Sequence, residues 1–289
     1  MKNFLIITNK YKDFDLSVTK RVVSYLEKNQ ASCRVLADLG SQYEEIPDLE
    51  PDTEGMIVIG GDGTILQAAR VVVGKNIPII GINKGTLGFL TEIEILELEQ
   101  VLHKLLCDEY RIEERIMLKG EIYHHGEMVY DSLALNDLVI SRSGFSRIIE
   151  CKIWVNGKIM NNYHGDGLIV ATPTGSTGYS LSAGGPVVCP KAEIMLVTPI
   201  CPHTIGARST VLVPTDDIWI EIGRLRKTQE EEAIATFDGQ MGIRLKPGDR
   251  IHVGPAAERT RLIRIKEHNF YEILRNKMKT SQEEQREVT

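Results

Sequence analysis

At 289 residues the chain is long enough for two domains with separate cores. Its formal net charge of -6 gives no basic footprint for nucleic acid, so an anionic ligand has to be held by local geometry. Cys33, Cys107, Cys151, Cys189 and Cys201 are odd in number and contain no C-x-x-C pair, so they read as buried small hydrophobes in a reducing compartment rather than disulfides or zinc ligands. No apolar run reaches the length of a membrane span, and Phe4 to Ile7 is too short for the core of a signal peptide; the expectation is a cytoplasmic protein with no membrane partner.

Phe4 to Ile7 reads as a first strand. A helix follows from about Leu16 to Lys28 with Val18, Val22, Val23 and Leu26 on its inner face, then a strand over Ser32 to Leu36. An acidic, proline-containing loop from Asp38 to Glu54 leads into Met56-Ile57-Val58-Ile59, an unbroken apolar run of the kind a parallel sheet buries on both faces. Gly60-Gly61-Asp62-Gly63-Thr64 comes next, and Ile65, Ala68, Ala69, Val72 and Val73 then fall at helical spacing. The three glycines can take backbone angles closed to other residues, and main-chain N–H groups at a helix start make an anion cradle. Asp62 is anomalous there, because a carboxylate repels phosphate. It either ligates a metal, accepts a proton from a hydroxyl about to be phosphorylated, or simply caps the helix in a tight turn. The P-loop Lys-Ser/Thr is missing, and Leu66 stands where a third G-x-G-x-x-G glycine would be.

Pro78 to Asn83 is a further strand, Asn83 to Phe89 a second Gly-rich loop on the same rim, and Ile95, Leu98, Val101, Leu102 and Leu105 mark another helix. Alternating strands and helices argue for a Rossmann-like parallel α/β domain over residues 1–110, with ligands beyond the carboxyl ends of its strands. From residue 111 to 267 the pattern is short β-rich runs broken by turns, with hairpin signals at Asn156-Gly157 and Asp238-Gly239, which reads as an antiparallel β-sandwich-like domain. Phe270, Tyr271, Ile273 and Leu274 stand in helical register, so a C-terminal helix within 268–289 is expected to return to the first domain.

Inside the β domain, Gly165-Asp166-Gly167 precedes an apolar strand, and Thr172 to Pro186 (TPTGSTGYSLSAGGP) then crowds hydroxyls and glycines together. A linker has that composition, but it would not directly follow a buried strand or carry Tyr179 and Leu181; a loop binding ribose and phosphate oxygens is the preferred reading. Asn136-Asp137 offers an amide and a carboxylate for ribose hydroxyls, or only a turn pair. His203, with no nucleophile or carboxylate beside it, reads as a packed structural histidine, and Glu230-Glu231-Glu232 as a solvated turn.

Taken together, the Gly60 to Thr64 loop, Asn83 to Leu90 (NKGTLGFL), Asn136-Asp137, Gly165-Asp166-Gly167 with Thr172 to Pro186, and Asp238-Gly239-Gln240 resemble the bacterial NAD kinases over nearly the whole length. The loop around Asp62 alone is shared with diacylglycerol-type lipid kinases and phosphofructokinases; GDG followed by TPTGSTGYSLSAGGP is far more specific. The resemblance implies phosphoryl transfer from ATP or inorganic polyphosphate to the 2′-hydroxyl of the adenosine ribose of NAD, giving NADP. It implies Asp62 as general base, a phosphate-donor loop of Gly60, Gly61, Gly63 and Thr64, and Phe89 near the adenine. By the same resemblance Asp62, Gly63, Asn136, Asp137, Arg147, His164, Asp166, Thr177, Gly178, Tyr179, Ser180, Leu181, Ser182 and Gln240 would contact the dinucleotide. Mg²⁺ would enter with the donor's phosphates, and a homodimer or homotetramer is implied as the assembly. Asp137, Gly178 and His164 depart from the residues many members carry (glutamate, alanine and, in some, arginine), which bears on fit and on NAD against NADH. Two rivals remain: a lipid or sugar kinase with the same loop, and an NAD-binding sensor without turnover. A dehydrogenase fits less well, because the fingerprint glycines and acidic residue are out of register.

Overall fold

The structure, a computed structural model, describes residues 1–37, 49–85, 88–143, 148–204, 206–224, 233–240, 242–266 and 270–277. The chain divides into two units, Met1–Glu114 together with Arg261–Thr289, and Arg115–Thr260.

In the first unit β1 (Asn3–Thr8), α1 (Ser17–Lys28), β2 (Ser32–Ala37), β3 (Gly55–Gly60), α2 (Asp62–Val72), β4 (Ile79–Asn83), β5 (Ile93–Glu94) and α3 (Leu98–Leu106) follow one another. The strands lie in the order β2-β1-β3-β4 with β5 on β4, all parallel. β3 and β4 are buried along their whole length, as their unbroken apolar runs require. Ile6, Ile57, Ile59, Ile80 and Ile82 pack with Val18, Val22 and Leu26 of α1 and Leu98, Val101, Leu102 and Leu105 of α3. The other face of β4 receives α2: a Cβ on Gly81 would lie 2.9 Å from Ile65, so glycine there makes the room. The chain leaves β1 for β2 in one direction and β3 for β4 in the other. The exits of β1 and β3 are therefore neighbours at a topological switch point, where open α/β sheets bind ligands. Helix 270–277 belongs to this unit, as its register suggests, with the Phe270 ring centroid 5.9 Å from that of Phe89.

The second unit is mostly strand: β6 (Arg111–His124), β7 (Glu127–Ala134), β8 (Asp137–Arg142), β9 (Ile149–Val155), β10 (Lys158–Gly165), β11 (Gly167–Ala171), then the short helix α4 (Tyr179–Ser182), β12 (Met195–Ile200), β13 (Thr210–Leu212), β14 (Ile218–Ile222), β15 (Ala233–Phe237), β16 (Gly242–Leu245) and β17 (Arg250–Arg264). One sheet runs β13-β12-β11-β8-β15-β16, antiparallel throughout. The other runs β10-β9-β14-β17, with β6 beside β17 and β7 beside β6. The end of β17 belongs to the first unit, where Leu262 pairs with Ile79 of β4.

Leu138, Ile140, Leu168, Val170 and Phe237 of the first of these sheets share a core with Ile153, Ile220, Ile251 and Val253 of the second, which makes a sandwich. β8, β11 and β12 are apolar on both faces because Ala183, Val188 and Ile194 cover a second cluster of Val139, Ile169, Ala171, Leu196 and Ile200. The Asn156-Gly157 turn forms as expected: φ is 52° and 72°, Lys158 pairs with Val155, and both positions take the left-handed angles a two-residue hairpin demands. The cysteines depart from expectation. Cys151 is buried, but Cys107 and Cys201 are exposed, so a small apolar side chain did not guarantee burial at chain segments that end on the surface.

Candidate functional site

In the first unit the Gly60 to Thr64 loop sits where β3 ends and α2 begins. Gly61 is the extended N-cap (φ -133°, ψ -172°), and Asp62 is already the first helical residue. None of Gly60, Gly61 and Gly63 has a positive φ, which corrects the expectation that unusual backbone angles explain them. At Gly60 the reason for glycine is clearance. A Cβ on Gly60 would lie 2.4 Å from Thr64 Oγ1, while one on Gly63 would meet nothing within 4 Å, so the Gly63 side of the turn is open.

The Asp62 carboxylate is not a simple helix cap. Oδ2 accepts the Phe89 N–H at 2.7 Å, and Oδ1 accepts the N–H groups of Leu90 (3.0 Å) and Thr91 (3.1 Å) and the Thr91 hydroxyl (3.3 Å). Gly88 permits this approach, since a Cβ there would lie 1.9 Å from Asp62 Oδ1. The second Gly-rich loop is thus wrapped around the carboxylate of the first. Phe89 lies at this bend with its ring against Phe270 and the Lys277 ammonium 5.2 Å from its centroid. Behind the loops, Lys84 Nζ is 2.5 Å from the fully buried Asp13 Oδ1. Burial pushes the Asp13 carboxyl up, but Lys84 and the hydroxyl and N–H of Thr19 more than offset it and hold it at about 2.

In the second unit Asn136, Asp137, Gly178 and Gln240 gather at the start of β8 and the β15–β16 turn, whereas His164 and Asp166 stand at the other end of β8, where Gly167 pairs with Ser141. Asp238 (φ 52°) accepts the backbone N–H groups of Leu135 (2.9 Å), Asn136 (2.7 Å) and Asp137 (3.2 Å), a role that the hairpin signal at Asp238-Gly239 did not reveal. Burial first, and then the Asp238 carboxylate, pushes Asp137 up to about 7. Asn136 Oδ1 is buried with no hydrogen-bond partner, which suits a ligand hydroxyl. Gly175 lies directly on Asn136, for a Cβ there would be 2.1 Å from its carbonyl oxygen. Gly178 is next to the Asn136 amide, and Gln240 closes the hairpin turn through its N–H to the Phe237 carbonyl at 3.0 Å.

The Thr172 to Pro186 loop is in place, but most of its hydroxyls are not free for a ligand. Thr172 donates to the Leu135 carbonyl (2.6 Å), Ser176 to that of Pro173 (2.7 Å), Thr177 to that of Thr174 (3.3 Å), and Ser180 is fully buried against Thr198 Oγ1 at 3.1 Å. A loop so rich in glycine needs these bonds to hold one conformation, so the hydroxyls fold it. Tyr179, Leu181 and Ser182 are exposed. His164 Nε2 is 3.4 Å from Glu150, and Asp166 Oδ1 is 3.0 Å from Arg142 Nε. His203 is exposed rather than packed, and its backbone N–H donates to the His164 carbonyl at 2.7 Å. Arg147 and Glu230 to Glu232 lie outside the described residues.

Among the described residues no group of three or more His, Cys, Asp or Glu side chains could hold a metal, and no helix is long and apolar enough to cross a membrane. The sequence matches the ATP-NAD kinase N-terminal domain over residues 43–110 and the ATP-NAD kinase C-terminal domain over residues 135–265. It is 47% identical over 281 residues to an NAD kinase of Lachnoclostridium phytofermentans, covering 96% of this chain and 99% of that protein. Against an NAD kinase of Geobacter sulfurreducens it is 39% identical over 284 residues, again with 96% and 99% covered. The fold is shared, at 24% identity, with a yeast NADH kinase solved with NADH (TM-score 0.83, 95% of this chain and 86% of that one). It is shared at the same identity with an NAD kinase from Archaeoglobus fulgidus solved with ATP (TM-score 0.75, 96% and 98%). With both domain descriptions matched and relatives aligned over 96% of its length, the chain belongs to the NAD kinase family of phosphotransferases.

Proposed function

We propose that the protein transfers a phosphoryl group from ATP or polyphosphate to the 2′-hydroxyl of the adenosine ribose of NAD, with Asp62 as general base. The observation that supports this most is the placing of Asp62. Its carboxylate stands in the first turn of a helix at a switch point, gripped by three backbone N–H groups, beside a turn whose Gly63 side is clear. Oδ2 accepts one N–H and keeps capacity for the hydroxyl proton. As the ribose oxygen forms its bond to phosphorus, its O–H bond breaks toward Asp62, the donor's bridging P–O bond breaks, and ADP or a shortened polyphosphate leaves. Main-chain N–H groups at the start of α2 stabilise charge on the transferred group. Mg²⁺, entering with the donor's phosphates, would neutralise their charge.

Asn136, Asp137, Arg147, His164, Asp166, the run Thr177 to Ser182 and Gln240 would hold the dinucleotide, with Phe89 near its adenine. The unpartnered Asn136 oxygen favours a hydroxyl-bearing ligand there. In this assignment residues 1–110 with 268–289 carry the donor loop with Asp62, Gly63 and Phe89, and residues 111–267 the remaining NAD contacts, in a cytoplasmic homodimer or homotetramer whose size light scattering measures.

The test is NADP formation by purified protein with NAD, Mg²⁺ and either ATP or polyphosphate, beside Asp62→Asn. Product with the parent and none with the variant supports both the reaction and the base. NAD binding without product from either donor would replace the kinase by a sensor.

A further inference from the structure

We propose that Lys12 is the cation that binds the phosphate chain of the donor, at the switch point between the loops that follow β1 and β3. This deepens the kinase reading and rests on it. A Cβ placed on Gly61 would lie 2.5 Å from Lys12 Nζ, and one on Gly85 would lie 3.3 Å from it. The ammonium therefore rests against the backbone of both Gly-rich loops, beside the N-cap of α2, where a side chain at Gly61 would push it aside.

Its position is built. Asn9 Oδ1 accepts the N–H groups of Tyr11 (3.0 Å) and Lys12 (3.2 Å), the Asn9 carbonyl accepts Lys12 N–H (3.0 Å) and Asp13 N–H (2.8 Å), and Asn9 Nδ2 donates to Thr64 Oγ1 at 3.3 Å. The turn that carries Lys12 is thereby tied to the Gly60 to Thr64 loop.

The two lysines at this rim differ in what they hold. Lys84 is neutralised by Asp13 at 2.5 Å and Asp15 at 3.7 Å. Lys12 is exposed and, among the described residues, its ammonium has no hydrogen-bond or ion-pair partner. An open acceptor lies at the end of β4, on a side chain whose Nδ2 donates to the Gly85 carbonyl at 3.2 Å. Asn83 is 7% exposed, its Oδ1 has no hydrogen-bond partner, and it pairs in register with Gly60. By strand alternation it shares the face of Gly81, which packs on Ile65 of α2 and on Thr91. A helix N-terminus and an ammonium with three unused donors call for a ligand with several anionic oxygens in a row: a nucleoside di- or triphosphate, or inorganic polyphosphate.

Steady-state kinetics of the full chain and calorimetry with inorganic tripolyphosphate test this. Lys12→Met is expected to raise the donor KM and the tripolyphosphate Kd roughly tenfold, the scale of a charge-assisted hydrogen bond. NAD KM and Tm should be unchanged, and Lys12→Arg should restore most of the loss. Lys84→Met is the opposite control, lowering Tm because it leaves Asp13 buried without its cation. If Lys12→Met makes NADP with an unaltered donor KM, the inference fails while the kinase reading survives. A rise in NAD KM instead would give Lys12 to the dinucleotide and also overturn it. Should the parent make no NADP from either donor, the kinase reading fails, and tripolyphosphate calorimetry alone decides Lys12: equal affinity in parent and variant sinks it.

Discussion

The loops Gly60 to Thr64 and Thr172 to Pro186 are both dense in glycine and hydroxyl groups, yet the fold uses them in opposite ways. In the second, Thr172, Ser176, Thr177 and Ser180 bond to the protein itself, so polar composition holds the loop's shape. In the first, the loop is held from outside by Phe89, Leu90, Thr91 and Asn9, and its Gly63 side is left clear. A polar loop is available to a ligand only to the extent that other residues carry out its folding.

The sharpest way to break this contrast is Asp62→Asn. Turnover is expected to fall about 10²-fold or more with NAD affinity within a few-fold, the pattern of a group used in the transition state. Weakened NAD binding at intact turnover would remove the base. Gly88→Ala probes the same carboxylate from behind: its Cβ would stand 1.9 Å from Asp62 Oδ1, so the carboxylate must shift. Roughly tenfold slower turnover is expected, with NAD KM little changed, since small misplacements of a reacting group are costly. Normal turnover would show that the grip on Asp62 is dispensable.

In the other loop the same substitution should act on stability. Gly175→Ala drives a Cβ to 2.1 Å from the Asn136 carbonyl oxygen, a backbone atom that cannot rotate away. Destabilisation of roughly 1–3 kcal/mol is expected in chemical denaturation, with a raised NAD KM. An unchanged midpoint would mean that the loop is not rigidly seated on Asn136.

The smallest effect concerns Asp137, raised from 3.8 to about 7 by burial and Asp238. The folded protein keeps this proton in a range where the unfolded chain has lost it. Stability from this group is therefore complete below about pH 4 and is lost as pH rises through about 7. Asp137→Asn cannot ionise, so the Tm of the variant relative to the parent should climb across that window; a constant difference would place the titration elsewhere.

Patterns between near neighbours in the chain were sufficient for much of the architecture. Apolar runs located β3 and β4, and Asn156-Gly157 located a hairpin, because strand burial and turn angles depend on adjacent residues. Gly60 to Thr64 with Asp62 stood out as a candidate site because a carboxylate in an anion cradle needs a reason to be there. Other features had no local signature. The grip on Asp62 joins residues 27 to 29 positions apart, and Asp238 caps a turn 101 to 103 positions away. Asn9 and Lys12 belong to no motif in the sequence. Periodicity and turn chemistry are properties of a segment, whereas which donor satisfies which acceptor, and which cation is left without a partner, is settled only when distant segments pack together. Local pattern was enough for the first unit's strands and helices and for the anomaly of Asp62; which polar groups are engaged and which stay open to a ligand depends on contacts between segments far apart in the chain.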